Sequence, residues 1–260
     1  MIRALNTAAT GLDAQQANIE RISTDIANVN TDAYKKSRTE FDDLIYQNIK
    51  EPGAALGASS QSPVGIQIGM GVKVGATHKN FEQGPSKITN HPYDLMVSGK
   101  GFFPVQTPNG ELLYSRTGAF HLDNQRKIVL SNGAQLLPQF TVPSNAIAFS
   151  VSPQGEVKVT LDDMSENVLG QIQLASFSNE QGLVAGGSGM YKPSPGSGQA
   201  ILGVPGENGL GGVQQGALEA SNVNIANSMV EMIAAQRSYE MGTKTMKVAD
   251  EMMAATANIK

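Results

Sequence analysis

The stretch "NVNIANSMVEMIAAQRSYEMGTKTMKVADEMM", residues 222–253, decides how the rest of the chain is read. Ile225, Met232, Tyr239, Met246 and Met253 recur every seven residues, and the small residues Ser228, Ala235, Gly242, Ala249 and Thr256 stand three beyond each. That spacing lays an apolar stripe along one face of a long helix. Asn222 or Asn224 is placed to cap its start, because a short side-chain oxygen can accept a free backbone N–H there. Val230, Met241 and Val248 each lie two positions from a stripe residue, about 200° around the helix, so a second apolar face points the other way. Six of the 11 methionines fall between 229 and 253, and flexible thioethers adapt to differing neighbours.

The phrase Asn-Val-Asn also stands at 28–30, where it closes a matching pattern. Over residues 2–29, Leu5, Leu12, Ile19 and Ile26 are seven apart, with Ala8, Gln15, Ile22 and Val29 three beyond them. A first helix is predicted there, ending at the phrase, with Asn28, Asn30 or Asp32 supplying a left-handed residue just past its end. Packed together, the two helices run antiparallel and bring both termini to one tip. A two-helix hairpin buries one stripe and leaves the other in water, so the second face must be covered by copies of the chain. The expected subunit-contact residues are Leu5, Leu12, Ile19, Ile22, Ile26, Asn28, Asn222, Asn224, Ile225, Met232, Tyr239, Met246 and Met253.

Residues 72–185 carry short apolar runs with no helical period: "VKVGAT", "DLMVS", "FFPVQ", "LLYS", "AFHL", "KIVL", "IAFSVS", "EVKVTL" and "QIQLASF". Turn signals such as "TPNG" at 107–110 and "SPQG" at 152–155 separate several of them, and the spacing predicts antiparallel hairpins. The fold class is therefore α+β, a terminal helical hairpin plus a mainly antiparallel β domain. Two Gly-rich stretches flank the β region, at 46–71 and 186–216. Such composition most often means a flexible linker. In the first, however, Leu56, Val64, Ile66, Ile68 and Met70 are unusual for a solvated tether. The other reading is a segment that orders against a neighbouring subunit, with Ile66 and Ile68 in the contact.

Several function classes are disfavoured. The net charge is −4, with no basic bias for holding phosphates, so no nucleic-acid partner is expected. Cysteine is absent, which removes disulfides, thiolate metal sites and a cysteine nucleophile. His78, His91 and His121 lack metal-ligand spacing, and Asp162 and Asp163, being adjacent, would face opposite sides of a strand. "SGKGFF" and "GMGVKVG" fall short of a G-x-G-x-x-G before a helix. No catalytic, metal or cofactor site is expected, and an enzyme is disfavoured. No run is long and apolar enough for membrane insertion, and the opening residues lack the apolar core of a cleavable signal peptide.

Three segments carry a resemblance. "GLDAQQANIERISTDIANVNTDAYKKSRTEFDDLIYQ" is similar to an L-x-A-x-x-x-x-I-x-x-x-N-x-A-N-x-x-T signature through Leu12, Ala14, Ile19, Asp25, Ala27, Asn28 and Thr31. "VSGKGFFPVQTPNGELLYSRTGAFHLD" resembles a central block met by Gly99, Gly101, Phe102, Phe103, Val105, Tyr114, Arg116, Gly118 and Phe120. "GALEASNVNIANSMVEMIAAQRSYE" brings Gly216, Leu218, Glu219, Ser221, Asn222, Val223, Asn224, Met229, Ile233, Gln236, Arg237, Tyr239 and Glu240 into register with a third. The chain thus resembles the flagellar axial family of bacteria, its rod and hook subunits, from end to end. Segment 46–71 sits where one rod subunit carries an insertion that hook and proximal rod subunits lack. One departure is Arg126 in "DNQRKIV", where the family's D-x-x-G turn has glycine.

The resemblance implies an inner helical domain (1–30 and 222–260), a linking region (31–71 and 205–221) and a mainly β outer domain (72–204). It implies helical stacking into a hollow rod of the basal body that crosses the periplasm. The implied partners are copies of the chain, the proximal rod proteins, the hook protein and the L-ring and P-ring proteins. The implied route is the flagellar type III export apparatus, without a cleaved signal. The readings set against this are a hook or proximal rod subunit and, from another class, a secreted β-domain binding module or enzyme.

Overall fold

The computed structural model describes residues 2–52 and 64–257. Leu56 and the middle of the first Gly-rich stretch lie outside the described residues. The chain divides into two units, one of Met1–Ala27, Ser37–His78 and Asn224–Lys260, the other of Asn28–Lys36 and Lys79–Val223. Two helices and a mainly antiparallel β region make the fold class α+β.

In the first unit, α1 spans Ile2–Ala27 and α2 spans Ile225–Ala257, about 39 and 50 Å at 1.5 Å per residue. Their direction is fixed by two contacts. Arg21 meets Glu231 at 3.1 Å, and Leu12 lies against Gly242, so the helices run antiparallel. The start of α2 is capped by Asn224, whose Oδ1 accepts the Asn227 N–H at 3.2 Å; Asn222 has a different task, described below.

The small residues, rather than the large ones, sit at the centre of the helix contact. Ser228, Ala235 and Ala249 are buried, and a Cβ built at Gly242 would stand 2.8 Å from Leu12 Cδ2. Short side chains allow closer approach of the helix axes, which pushes the longer residues to the flanks. Ile225 and Tyr239 are accordingly exposed and Met232, Met246 and Met253 half-buried. On α1, Ile22 and Ala14 are buried and Leu5, Leu12, Ile19 and Ile26 half-buried.

Strand Ser37–Asp43 pairs with Val72–Lys79, and Tyr46–Lys50 pairs with Ile66–Gly69 in a ribbon registered at Tyr46↔Gly69. The ribbon comprises the described ends of the first Gly-rich stretch. Gly71 sits between the second arms of these two pairings with φ +125°, and a Cβ there would fall 2.2 Å from Thr10 Oγ1. No other residue type fits both that backbone angle and that approach to α1.

The second unit holds a seven-stranded antiparallel sheet, running across its width through 184–187, 190–192, 112–115, 103–106, 135–136, 128–130 and 120–122. Beside it lie a three-stranded meander, 146–151, 156–161 and 166–171, and three two-stranded pairs: 95–98 with 212–215, 86–88 with 217–219, and 174–176 with 201–203. The predicted hairpin runs all carry strands. Successive side chains on a strand face opposite ways, and Phe102 and Phe103 use this. Phe103 enters the main aliphatic core with Val105, Phe120, Leu136, Val157 and Leu174. Phe102 joins a second cluster with Tyr114, Phe177, Leu183 and Tyr191.

Three expectations are corrected here. The stretch 186–216 is no linker: it supplies strands Met190–Lys192, Ile201–Gly203 and Gly212–Gln215 and buries Tyr191, Leu210 and Val213. Its glycines mark turns between short strands, a use that composition alone does not separate from a tether. The left-handed residue after α1 is Ala33, φ +58°, not Asn28, Asn30 or Asp32. Ala33 is held there because its N–H donates to the Glu219 carbonyl at 2.7 Å and its methyl is buried. Arg126 does not break its turn either. It adopts φ +58°, its N–H reaches Asp123 O at 2.8 Å, and Asp123 Oδ1 accepts the Gln125 N–H.

Candidate functional site

Each unit contains one constellation built from residues far apart in sequence. In the helical unit it begins with Arg21, a guanidinium with five donors in a rigid fork. Its Nε and Nη2 donate to Asn18 Oδ1, Nη1 donates to Asp25 Oδ2 at 2.9 Å and to the Ser37 carbonyl at 3.0 Å, and Nη2 also reaches Glu231. Asp25, buried, uses its other oxygen to accept the Ser37 N–H at 3.1 Å. One arginine thus ties α1, α2 and the strand that follows into a single joint. Charge-assisted bonds of this kind are short and directional, so the joint fastens the three elements at this end of the helical pair.

Beyond that joint the helices present apolar surface. Val230, Met241 and Val248 are 68%, 62% and 53% exposed, and Met229, Ile233 and Met252 are also exposed. They form the outward face of α2, opposite the small-residue column. On the ribbon Tyr46, Ile49, Ile66 and Ile68 are exposed, as are Ile45 and Val64 beside it. A face this apolar along a long helix marks an interaction surface, since scattered exposed hydrophobes do not align in this way.

The β unit holds a buried ionic node. Glu219 lies on the strand 217–219. Its Oε1 accepts Lys35 Nζ at 2.6 Å and the Gly84 N–H at 2.8 Å, and its Oε2 accepts Arg116 Nε at 2.6 Å. Lys35 also donates to the Glu82 carbonyl, and Arg116 donates to the carbonyls of Gly101, Gly99 and Val97. All three charged groups are nearly inaccessible to water. Burial by itself raises the Glu219 carboxyl, but Arg116 and Lys35 outweigh it and hold the group below its ordinary value. Burial lowers the Lys35 ammonium, and the Glu219 hydrogen bond opposes without cancelling it. Burial pushes the nearby Tyr191 hydroxyl up to about 12.

Next to the node, Asn222 clamps its own segment to two others. Its Oδ1 accepts the Lys36 N–H at 2.7 Å, and its Nδ2 donates to the carbonyls of Asn80 and Glu82. A cavity of about 380 Å³ lies alongside, lined by Lys35, Phe81, Glu82, Lys100, Phe102 and Arg116 with others. The Lys35 and Arg116 charges on its wall are already engaged by Glu219. The node can therefore hold three segments in register, and it offers no poised acid, base or nucleophile.

Of the residues expected at subunit contacts, those of α1 and α2 lie on the helical pair as described. Ile66 and Ile68 lie on the ribbon. Asn28, half-buried, accepts the Thr31 hydroxyl at 3.1 Å, and Asn222 is engaged inside the β unit. Sequence reasoning missed Arg21 and Lys35 altogether. Arg116 and Glu219 stood out only as motif letters, because nothing local joins positions 103 residues apart. A charged residue inside an otherwise apolar-and-glycine motif was the available signal.

Comparison with known proteins follows the same residues. Residues 96–159 match the family model described as flagellar hook protein FlgE/F/G D1 domain, and residues 214–259 match that described as flagellar basal body rod FlgEFG protein C-terminal. The chain is 43% identical over 263 residues to the flagellar basal-body rod protein FlgG of Borreliella burgdorferi, covering 100% of this chain and 99% of that one. It is 42% identical to the protein of the same name from Caulobacter vibrioides, with full coverage of both. For that of Bacillus subtilis the identity is 33%, again with full coverage of both.

Proposed function

The chain belongs to the flagellar basal-body rod protein family, and from that premise we propose that it is the distal-rod subunit, stacking with copies of itself into a stiff, hollow drive shaft. It is a structural component of the flagellar basal body. Within it, the helical pair acts as the assembly core and the node-braced β unit as a rigid body that carries load without internal slippage.

The observation that carries the assembly reading is the outward face of α2, with Val230, Met241 and Val248 all more than half exposed. Apolar surface kept in water is unfavourable in proportion to its area, and a second copy relieves it. In this reading the α2 face meets a different surface of the next copy, a head-to-tail contact that propagates as an open helix instead of closing into a dimer. Neighbours in this reading are the proximal rod proteins, the hook protein and the L-ring and P-ring proteins. The chain reaches them through the flagellar type III export apparatus.

The 46–71 segment, in the same reading, bridges copies along the shaft and resists bending. Its support is a ribbon whose Tyr46, Ile49 and Ile66 side chains are more than half exposed. Electron microscopy of assembled protein tests the whole proposal: straight, concentration-dependent tubes are expected, and a soluble species that never polymerises refutes it. Deleting 50–67 should give curved or bent assemblies. Unchanged straightness would remove the bracing role while leaving the assembly role intact.

A further inference from the structure

Three Asn-Gly pairs occur, at 109–110, 132–133 and 208–209. In this dipeptide the glycine nitrogen can attack the asparagine side-chain carbonyl, since no Cβ shields the nucleophile. The N–Cγ bond forms, the Cγ–Nδ2 bond breaks and ammonia leaves. Water then opens the resulting cyclic imide to aspartate or isoaspartate. The reaction needs a free glycine N–H, a free asparagine amide and a backbone able to rotate, and the three pairs differ in all of these.

At 109–110 the nucleophile is occupied, because Gly110 N–H donates to Thr107 O at 2.9 Å, inside a turn further closed by Thr107 N–H to Glu111 O and by Glu111 N–H to Thr107 Oγ1. At 132–133 both reactants are occupied. Gly133 N–H donates to Leu130 O at 2.8 Å, Asn132 Oδ1 accepts the Ala134 N–H, and Asn132 Nδ2 contacts Met190 Sδ. At 208–209 neither the Gly209 N–H nor the Asn208 amide has a hydrogen-bond partner among the described residues. Both residues are exposed, with left-handed φ of +51° and +79°, the pattern of a type I′ turn. The bond across that turn, Leu210 N–H to Glu207 O at 2.8 Å, and the Gly206 N–H to Gly211 O bond at 3.1 Å that encloses it hold the loop closed. A Cβ placed on Gly209 would meet nothing within 4 Å, so space for the ring is present.

We infer that Asn208 is a site of spontaneous deamidation in this protein, ahead of Asn109 and Asn132. The change matters because Leu210, two residues on, is buried in the main core of the β unit. Isoaspartate adds a methylene to the backbone at 208, one residue short of that anchor. Gly211, whose N–H donates to Lys100 O at 2.7 Å, follows directly. Each event also adds one negative charge to a chain whose net charge is −4.

The test is incubation of the full-length chain at mildly alkaline pH, with isoelectric focusing and peptide mapping by mass spectrometry over time. Conversion at 208 should run several times faster than at 109 or 132, and an Asn208→Gln variant should lose the first acidic isoform to appear. Equal rates at the three sites, a lead by 109 or 132, or no conversion at 208 while another site converts would overturn the assignment. So would an unchanged rate of acidic-isoform formation in the variant.

Discussion

Replacing Glu219 by glutamine removes one charge from the centre of the β unit and almost nothing from its volume. The carboxylate accepts from Lys35 and Gly84 on one oxygen and from Arg116 on the other. A glutamine amide can keep only one of those oxygens; turned to satisfy Lys35 and Gly84, it points an NH2 at the Arg116 Nε–H. Removing one partner from a buried ion pair costs about 3–5 kcal/mol. Arg116 keeps its bonds to three carbonyls and Lys35 keeps Glu82, which places the expected loss near the lower end, at about 3 kcal/mol. With a urea slope of about 1–3 kcal/mol per molar, the midpoint falls by about 1–3 M. Tryptophan is absent, so tyrosine emission reports the transition, and Tyr114 and Tyr191 lie in the aromatic cluster of the same unit.

The pH dependence supplies a second arm of the same test. Glu219 is held below its ordinary value of 4.5 in the folded chain. Its contribution is fully present above the unfolded value and is lost as pH falls through the lower folded one. The glutamine variant has no such group, so the stability difference between the two proteins should shrink in acid. A loss smaller than about 1 kcal/mol, the size of an ordinary substitution, would refute the reasoning, as would a difference that does not change with pH.

At the helix contact, Gly242→Ala should leave the melting of the helical unit within about 0.5 kcal/mol, because a helix-propensity gain of about 1 kcal/mol offsets displacement of Leu12. Gly242→Leu overpacks the column and should cost about 1–3 kcal/mol; far-ultraviolet circular dichroism on melting distinguishes them. Arg126→Gly should stabilise the β unit by about 0.5 kcal/mol, since relief of a left-handed side chain slightly exceeds glycine's entropy loss in folding. A fall in its denaturation midpoint would count against that turn geometry. Val230→Lys with Met241→Lys should change monomer stability by less than about 0.5 kcal/mol and yet abolish sedimentable polymer.

The helices, their boundaries and most hairpins were legible because each rests on local periodicity or a turn signal within a few residues. What stayed hidden depends on distance along the chain. Heptad spacing identified two columns on α2, but which column meets α1 follows from how closely the axes approach, a property of both helices together. Asn222 and Asn224 look equivalent as caps; only the arrival of residues 36, 80 and 82 beside Asn222 separates their tasks. Ala33 takes the angle that asparagine takes more readily because Glu219 anchors its N–H from 186 residues away. The glycines of 186–216 read as slack, although their positive angles at Gly187, Gly189, Gly198, Gly206 and Gly209 are those of tight reversals.

The ionic node also has a bearing on order in time. Its members stand at 35, 116 and 219, and the strand carrying the last of them pairs with residues 86–88. During synthesis the β unit cannot complete itself until residue 219 has left the ribosome. A growing chain that lacks this closing segment keeps the β unit open while residues 1–218 are made, and so remains a thread for longer than its many local hairpins would suggest.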